Sequence, residues 1–216
     1  MLFAPAFAAL VISISSTADV SPTLVDRAID EATAIWRSAG VSLVRQRSAS
    51  EPAAIDVVIG PDRGAAQTGN APLGWIEFDD GQPQRRLYLS YANAIALLDS
   101  SGGITGAASR MPVLQRETYL GRAMGRALAH ELGHYLLAMK THTSSGLMKA
   151  NFTAFEFFAP EAPHFAISAS ERTLAVARLE HAPAVASAMS GSTSPRSPDP
   201  ASRPRAAARW PGPIPN

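Results

Sequence analysis

The segment that most constrains this chain is His130-Glu131-Leu132-Gly133-His134, in which two histidines stand four residues apart. Residues i and i+4 lie on one face of an α-helix, so His130 and His134 can present imidazole nitrogens to one Zn²⁺ at about 2.0–2.1 Å. Glu131 lies about 100° around the helix, beside such an ion rather than beneath it. We expect it to take a proton from an attacking water, as a general base does in metal-assisted hydrolysis.

The residues around this motif predict a mostly buried helix, because apolar side chains occupy much of its circumference. These are Tyr119, Leu120, Ala123, Met124, Ala127, Leu128, Leu132, Tyr135, Leu136 and Met139. Ionisable groups on such a helix are costly unless they are paired or bind a metal. We therefore expect one Zn²⁺ per chain rather than two histidines on an ordinary polar face. Gly121 and Gly125 should let this helix approach the sheet closely.

A catalytic zinc site needs a third protein ligand, because such sites usually combine three ligands with one water. The downstream candidates are His142, His164, His181, Glu156, Glu161 and Glu171. His142 is the best placed, since it lies just beyond the predicted helix end, where a chain that turns back returns it to the metal. Glu156 is the main alternative.

The chain resembles the metzincins, a clan of zinc endopeptidases that includes the matrixins and archaemetzincins, in its histidine motif and in the Gly146-Leu147-Met148 that follows His142. The resemblance implies three zinc ligands, a general base and a methionine that lies beneath the metal in a tight Met-turn. The corresponding positions are His130, His134 and His142 for the ligands, Glu131 for the base and Met148 for the turn.

The chain departs from the metzincin pattern H-E-x-x-H-x-x-G-x-x-H at two positions. Leu137 and Lys140 stand where the pattern has glycine and the third histidine, so that His142 arrives two residues late. Glycine lets a helix stop in a left-handed conformation. Without it, we expect about an extra half-turn through Met139, Lys140 and Thr141 before the chain reverses. In gluzincins the third ligand is a glutamate on a later helix, and Glu156 would be that ligand here. The Gly-Leu-Met after His142 argues against this alternative.

The predicted fold is α+β, with a twisted, mostly parallel mixed sheet of four or five strands, two long helices and a small C-terminal subdomain. A helix begins at Ser21-Pro22, a typical N-cap followed by proline, and ends at Ala39-Gly40. Strands are expected at 41–44, 55–60, 73–78 and 86–91, the last two as a hairpin or neighbours. A catalytic domain should span residues 1–189, followed by a disordered tail at 190–216.

Residues 1–18 admit two interpretations. They are either a secretory signal ending in small residues or a strand in which Leu10, Ile12 and Ile14 alternate with other side chains. The absence of Lys and Arg before the apolar run, and the strand with which metzincin domains open, favour the strand. We expect a secreted or periplasmic protein, with a cytoplasmic one as the alternative. No apolar run reaches the length of a membrane span.

Three further segments carry weaker predictions. The strand at 73–78, through Gly74, Trp75 and Ile76, should bind substrate by β-augmentation, as the edge strand of metzincins does. Residues 92–118 should form a loop that rims the cleft, with one short helix at 92–99. The aromatic residues of 152–158 should be core, with one wall of a specificity pocket as the alternative. Two adjacent carboxylates at Asp79-Asp80 are usually solvated in a turn, so we expect no calcium site there.

The function that this sequence predicts is zinc-dependent hydrolysis of peptide bonds in peptide or protein substrates. The alternatives are a zinc-stabilised binding or structural module without proteolysis, and a latent protease capped by one of its own termini. The net charge of +1 implies no nucleic-acid partner. No cysteine is present, which excludes disulfides and thiolate metal sites. We expect a monomer.

Overall fold

A five-stranded mixed sheet forms the base of the fold in the computed structural model, which describes residues 7–48, 52–60 and 72–181. The strands are β1 (Ala8–Ser16), β2 (Val41–Arg45), β3 (Ile55–Ile59), β4 (Gly74–Asp79) and β5 (Gln82–Leu89), in the order β2-β1-β3-β5-β4. All neighbouring pairs are parallel except β4 and β5. Leu10 and Ile12 are fully buried in β1, so the strand interpretation of this segment is confirmed.

The predicted hairpin joins β4 to β5 through a two-residue turn. Asp80 and Gly81 have φ angles of 45° and 75°, the left-handed pair that matches the twist of an antiparallel hairpin. Within the described residues β4 pairs with β5 alone, so it is the edge strand that was predicted. Asp79 and Asp80 belong to no group of three or more potential metal ligands in that part of the chain.

The described residues also form six helices. They are α1 (Pro22–Arg37), α2 (Tyr91–Ser100), α3 (Gly102–Thr105), α4 (Val113–Leu137), α5 (Ala154–Phe158) and α6 (Ala169–His181), with single 3-10 turns at Ala108–Arg110 and Pro163–Phe165. The predicted cap of α1 is confirmed, since the Ser21 hydroxyl accepts from the Leu24 N–H at 3.1 Å. The long loop predicted for 92–118 is wrong in extent, because α4 already begins at Val113.

The two long helices, α1 and α4, meet at the glycine pair of α4. A Cβ added to Gly121 would lie 2.7 Å from Arg27 Cβ, and one added to Gly125 would lie 2.5 Å from Glu31 Cβ. The approach that we predicted toward the sheet is therefore wrong: these glycines bring α4 against α1. The contact fixes the axis of the helix that carries the histidine motif.

The C-terminal segment is attached to α4 through the fully buried Arg126. Its guanidinium donates to the Glu31 carboxylate at 2.7 Å and to the carbonyls of Glu156 at 2.5 Å and Glu161 at 3.2 Å. A capping box precedes α6, with reciprocal hydrogen bonds between Ser168 and Glu171. One buried cation thus joins α1, α4 and the segment around α5.

The predicted tail, residues 190–216, lies outside the described residues, and the proposed domain boundary at 189 stays a prediction. No described helix combines the length and apolarity that a membrane crossing requires.

Candidate metal centre

Three histidines converge at the C-terminal half of α4, and we call them the histidine triad: His130, His134 and His142. The ring centroids are 4.8 Å apart for His130 and His134, and His142 lies 5.2 and 4.9 Å from them. One nitrogen from each ring lies within 4.8 Å of the others. Ligand nitrogens on a tetrahedral Zn²⁺ are about 3.4 Å apart, so the nitrogens would have to approach one another by at most about 1.4 Å. Among the described residues, this is the one group of three or more such side chains.

Main-chain carbonyls orient two rings of the triad. His130 Nδ1 lies 2.7 Å from the Leu147 oxygen, and His134 Nδ1 lies 2.6 Å from the Met139 oxygen. A carbonyl can only accept, so each Nδ1 carries the proton and each Nε2 keeps its lone pair. Metal-binding histidines are typically held in this way. The donor set therefore fits a divalent cation such as Zn²⁺.

The pKa shifts of these two imidazole rings also favour metal binding. Burial lowers the pKa of His130 to about 4, against an upward effect of the hydrogen bond to Leu147. Burial also lowers the pKa of His134. Both imidazoles are therefore neutral at pH 7, and neutral imidazole is the form that binds metal.

The third histidine returns to the helix through a reversal at Ala138. This residue adopts a left-handed φ of 50°, and the N–H of Met139 donates to the His134 carbonyl at 3.3 Å. The extra half-turn that we predicted is wrong: α4 ends at Leu137, without a glycine. The surrounding contacts hold an alanine in a conformation that costs about 1–2 kcal/mol, and the additional residues lie in the loop.

A tight turn brings Met148 against α4. Gly146 has a φ of 77°, the Thr143 N–H donates to the Met148 carbonyl at 2.8 Å, and Met148 itself is fully buried. Its sulfur occupies the space of a side chain at Gly133, since a Cβ there would lie 2.3 Å from Met148 Sδ. The methionine thus packs on the helical residue that directly precedes His134.

Glu131 lies on the same helical turn of α4 as the histidine motif, but it is not one of the three clustered ligands. Its carboxyl is buried, and burial raises its pKa to about 8. A divalent cation held by the triad would oppose this rise, because positive charge favours the ionised carboxylate. Glu131 faces β4, where a Cβ on Gly74 would lie 2.9 Å from Glu131 Cγ.

The triad and Glu131 line a cleft of about 660 Å³. The predicted substrate residues Gly74, Trp75 and Ile76 line it from β4. The segment that was expected to rim the cleft does so as a helix, since α2 contributes a wall. The α2 residues are Asn93, Ala96, Leu97 and Ser100. Neither these residues nor the cleft lysines Lys140 and Lys149 were predicted individually, because nothing in their local pattern indicates which cavity they border.

The alternative third ligand, Glu156, is engaged elsewhere. It forms a capping box with Thr153 and an ion pair of 2.5 Å with Lys149. Burial alone would raise its pKa, but hydrogen bonds from Lys149 and Thr153 outweigh that effect and lower the pKa to about 2. His164, a histidine outside the triad, lies with its Nδ1 3.5 Å from the Glu156 carboxylate. The structure does not bring Glu156 to the triad.

The other candidates also have separate positions. Glu161 offers its carbonyl to Arg126, Glu171 caps α6, and the ring of His181 contacts the Ala177 carbonyl within α6. The aromatic segment divides between core and cleft: Phe158 is buried, whereas Phe152 and Phe157 line the cleft and Phe155 is exposed. The prediction of core therefore holds for only part of it.

Comparison with known proteins supports the fold. No protein-family profile matches the sequence, and no curated protein matches it. Among solved structures, the chain is similar to archaemetzincin from Methanopyrus kandleri, with a TM-score of 0.52 and 12% sequence identity over 80% of this chain and 97% of that one. At this level of identity the likeness concerns the fold alone. The α+β fold expected from the metzincin-like motif is confirmed.

Proposed function

We propose that this chain is a zinc-dependent endopeptidase. The observation that supports this most directly is the convergence of three imidazoles beside a buried carboxyl in an open cleft. His130, His134 and His142 would hold the ion, and Zn²⁺ bound there would lower the pKa of a water and polarise a substrate carbonyl.

Glu131 is the residue that moves protons in this proposal. Its place on α4, one residue after His130, puts the carboxylate beside the metal position rather than among the candidate ligands. It accepts the proton of the attacking water and then donates it to the nitrogen of the leaving amine. Gly74 leaves room for the Glu131 side chain against β4.

The edge strand β4 supplies the substrate platform. Among the described residues β4 is the last strand of the sheet, and an edge strand can add an extended peptide through main-chain hydrogen bonds. Because β4 also contributes Gly74, Trp75 and Ile76 to the cleft, a peptide on this edge would pass the triad. The ring of Trp75 stacks on Tyr88 at 5.2 Å, which stabilises the platform.

A single comparison tests the proposal: wild type, Glu131→Gln and, as matched control, Glu180→Gln, which changes an exposed carboxylate of α6. All three should contain about one zinc per chain by plasma emission. Wild type and Glu180→Gln should digest casein or gelatin. Glu131→Gln should do so about 10²–10⁴-fold more slowly, because glutamine cannot accept the proton.

Each contrary result points to a different error. Wild-type protein without zinc after reconstitution would refute the whole proposal. Equal cleavage by wild type and Glu131→Gln would exclude Glu131 as the base. Zinc in every protein with cleavage by none would favour the non-proteolytic module.

A further inference from the structure

The cleft holds all the lysine in the chain. Of the 19 basic residues, two are lysines, Lys140 and Lys149, and both line the cleft. Glu131 is the one acidic residue among the described residues that line it. The contacts of each lysine decide whether its charge is available to a substrate.

The two lysines differ in how their charge is compensated. Lys149 Nζ lies 2.5 Å from a Glu156 carboxylate oxygen and 4.7 Å from the centroid of the Phe152 ring. Glu156 is buried, and its pairing with Lys149 neutralises that ammonium. Lys149 thus has its partner within the protein.

Lys140 has no such counterion. Its Nζ lies 6.0 Å from the centroid of the Phe78 ring, and no ion pair or hydrogen bond of its side chain occurs among the described residues. Its backbone is nevertheless fixed, because it directly follows Met139, whose carbonyl contacts the His134 ring at 2.6 Å. Lys140 is an uncompensated cation at a defined position beside the triad.

We propose that Lys140 recognises a carboxylate of the substrate and so gives the cleft a preference for acidic peptides. The inference rests on the proposed peptidase function. The carboxylate can be the side chain of Asp or Glu, or the C-terminal carboxylate of a short peptide. The Lys140 ammonium meets it at the rim of the cleft, next to Phe78.

The distance to the triad limits where this carboxylate lies. The Phe78 ring is 6.2 Å from that of His134, so the Lys140 ammonium is within about 12 Å of the His134 ring. An extended peptide rises about 3.3 Å per residue. The recognised group therefore lies within about four residues of the scissile bond.

The expected preference is modest and depends on salt. An ion pair between an exposed lysine and a carboxylate contributes little binding free energy in water. This contribution corresponds to about a fivefold preference for peptides that carry the carboxylate at low ionic strength. Screening should reduce it as salt is raised.

The test measures binding and cleavage with two series of matched peptides. One series exchanges Glu for Gln at each position within four residues of the scissile bond, and the other exchanges a free C-terminus for an amide. Binding is measured by fluorescence anisotropy with zinc-loaded Glu131→Gln protein, and cleavage as kcat/KM with Glu131 intact. Lys140→Gln, Lys140→Glu and Lys140→Arg are compared in both backgrounds. Arg37→Gln, an exposed residue of α1, controls for net charge.

The expected result is a preference of about fivefold for one series of carboxylates with Lys140, retained in Lys140→Arg and Arg37→Gln. Lys140→Gln should lose the preference, and Lys140→Glu should reverse it. The series that responds identifies the source of the carboxylate.

Contrary results separate the two proposals. Cleavage without carboxylate preference, or an equal preference in Lys140→Gln, would overturn the role of Lys140 and leave the peptidase function intact. Preferential binding without cleavage would overturn the peptidase function and leave carboxylate recognition. Failure to bind any peptide would overturn both.

Discussion

Replacing Gly74 with alanine should impair catalysis more than folding. The added Cβ would lie 2.9 Å from Glu131 Cγ, 3.0 Å from Leu89 Cδ2 and 3.2 Å from the Tyr88 carbonyl oxygen. The Tyr88 oxygen belongs to the backbone of β5, and the Leu89 side chain is fully buried, so neither group can move easily to make room for the new methyl group. The Glu131 side chain faces the cleft and can move. We therefore expect the new methyl group to displace the carboxyl that acts as the base.

The magnitudes follow from these contacts. Overpacking costs about 1–3 kcal/mol, and alanine regains about 0.5–1 kcal/mol over glycine within a strand, so the net loss of stability should be at most about 2.5 kcal/mol. A displacement of a catalytic group by about 1 Å can lower the rate about 10²-fold. Since Glu131 is not a proposed ligand, zinc content should stay the same.

The assay combines kcat and KM on a fluorogenic peptide with calorimetric melting and metal analysis. Gly103→Ala is the matched control, because a Cβ there meets no atom within 4 Å. Gly74→Ala should lower kcat while zinc occupancy stays full. Gly103→Ala should change neither kcat nor zinc occupancy. Wild-type kcat in Gly74→Ala, or a loss of kcat that only follows the unfolded fraction, would show that the added methyl group does not displace the Glu131 carboxyl.

Three further substitutions have defined outcomes. Loss of a residue that only supports a metal ligand lowers metal affinity by about 10–100-fold, so loss of a ligand should cost more. His142→Ala should therefore weaken zinc binding by more than about 100-fold in a chelator titration, whereas Glu156→Gln should not. The reverse result would make Glu156 the ligand. Because the pKa of Glu156 is lowered from 4.5 to about 2, its carboxylate contributes stability that is present above about pH 4.5 and lost as the pH falls through about 2. Urea unfolding should therefore show the advantage of wild type over Glu156→Gln shrinking by about 3 kcal/mol between pH 5 and pH 2, and a constant difference would contradict this. Ala138→Gly should be neutral or stabilising by up to about 1 kcal/mol, since φ is 50° there, whereas Ala34→Gly at an exposed position of α1 should lose about 1 kcal/mol; equal losses would argue against the left-handed turn.

The parts of the fold that could be predicted carry their signal within a few neighbouring residues. The Ser21-Pro22 cap and the alternation in β1 each depend on local backbone chemistry, and each appears where expected. The hairpin after β4 was also expected, but its turn is shorter than predicted, because β5 already begins at Gln82. The spacing of His130 and His134 likewise fixes their common face before any tertiary contact is known.

The parts that could not be predicted depend on contacts between distant segments. Nothing at Gly121 and Gly125 indicates that the surface they approach is α1 rather than the sheet. The start of α4 at Val113 was missed because no side chain caps it and its first apolar residues are exposed. Alanine disfavours a left-handed helix end, so the stop at Ala138 contradicts local preference and is stabilised by the contacts of its neighbours.

The buried Arg126 has a consequence for how the molecule opens. Separating the α5 segment from α4 would break the hydrogen bonds to the Glu156 and Glu161 carbonyls and leave part of a guanidinium without partners in the interior. That cost opposes partial unfolding of the segment that follows the Met148 turn. Amide hydrogens of α4 and α5 should therefore exchange in one cooperative event, so that the loop that carries His142 would lie between two elements that open together.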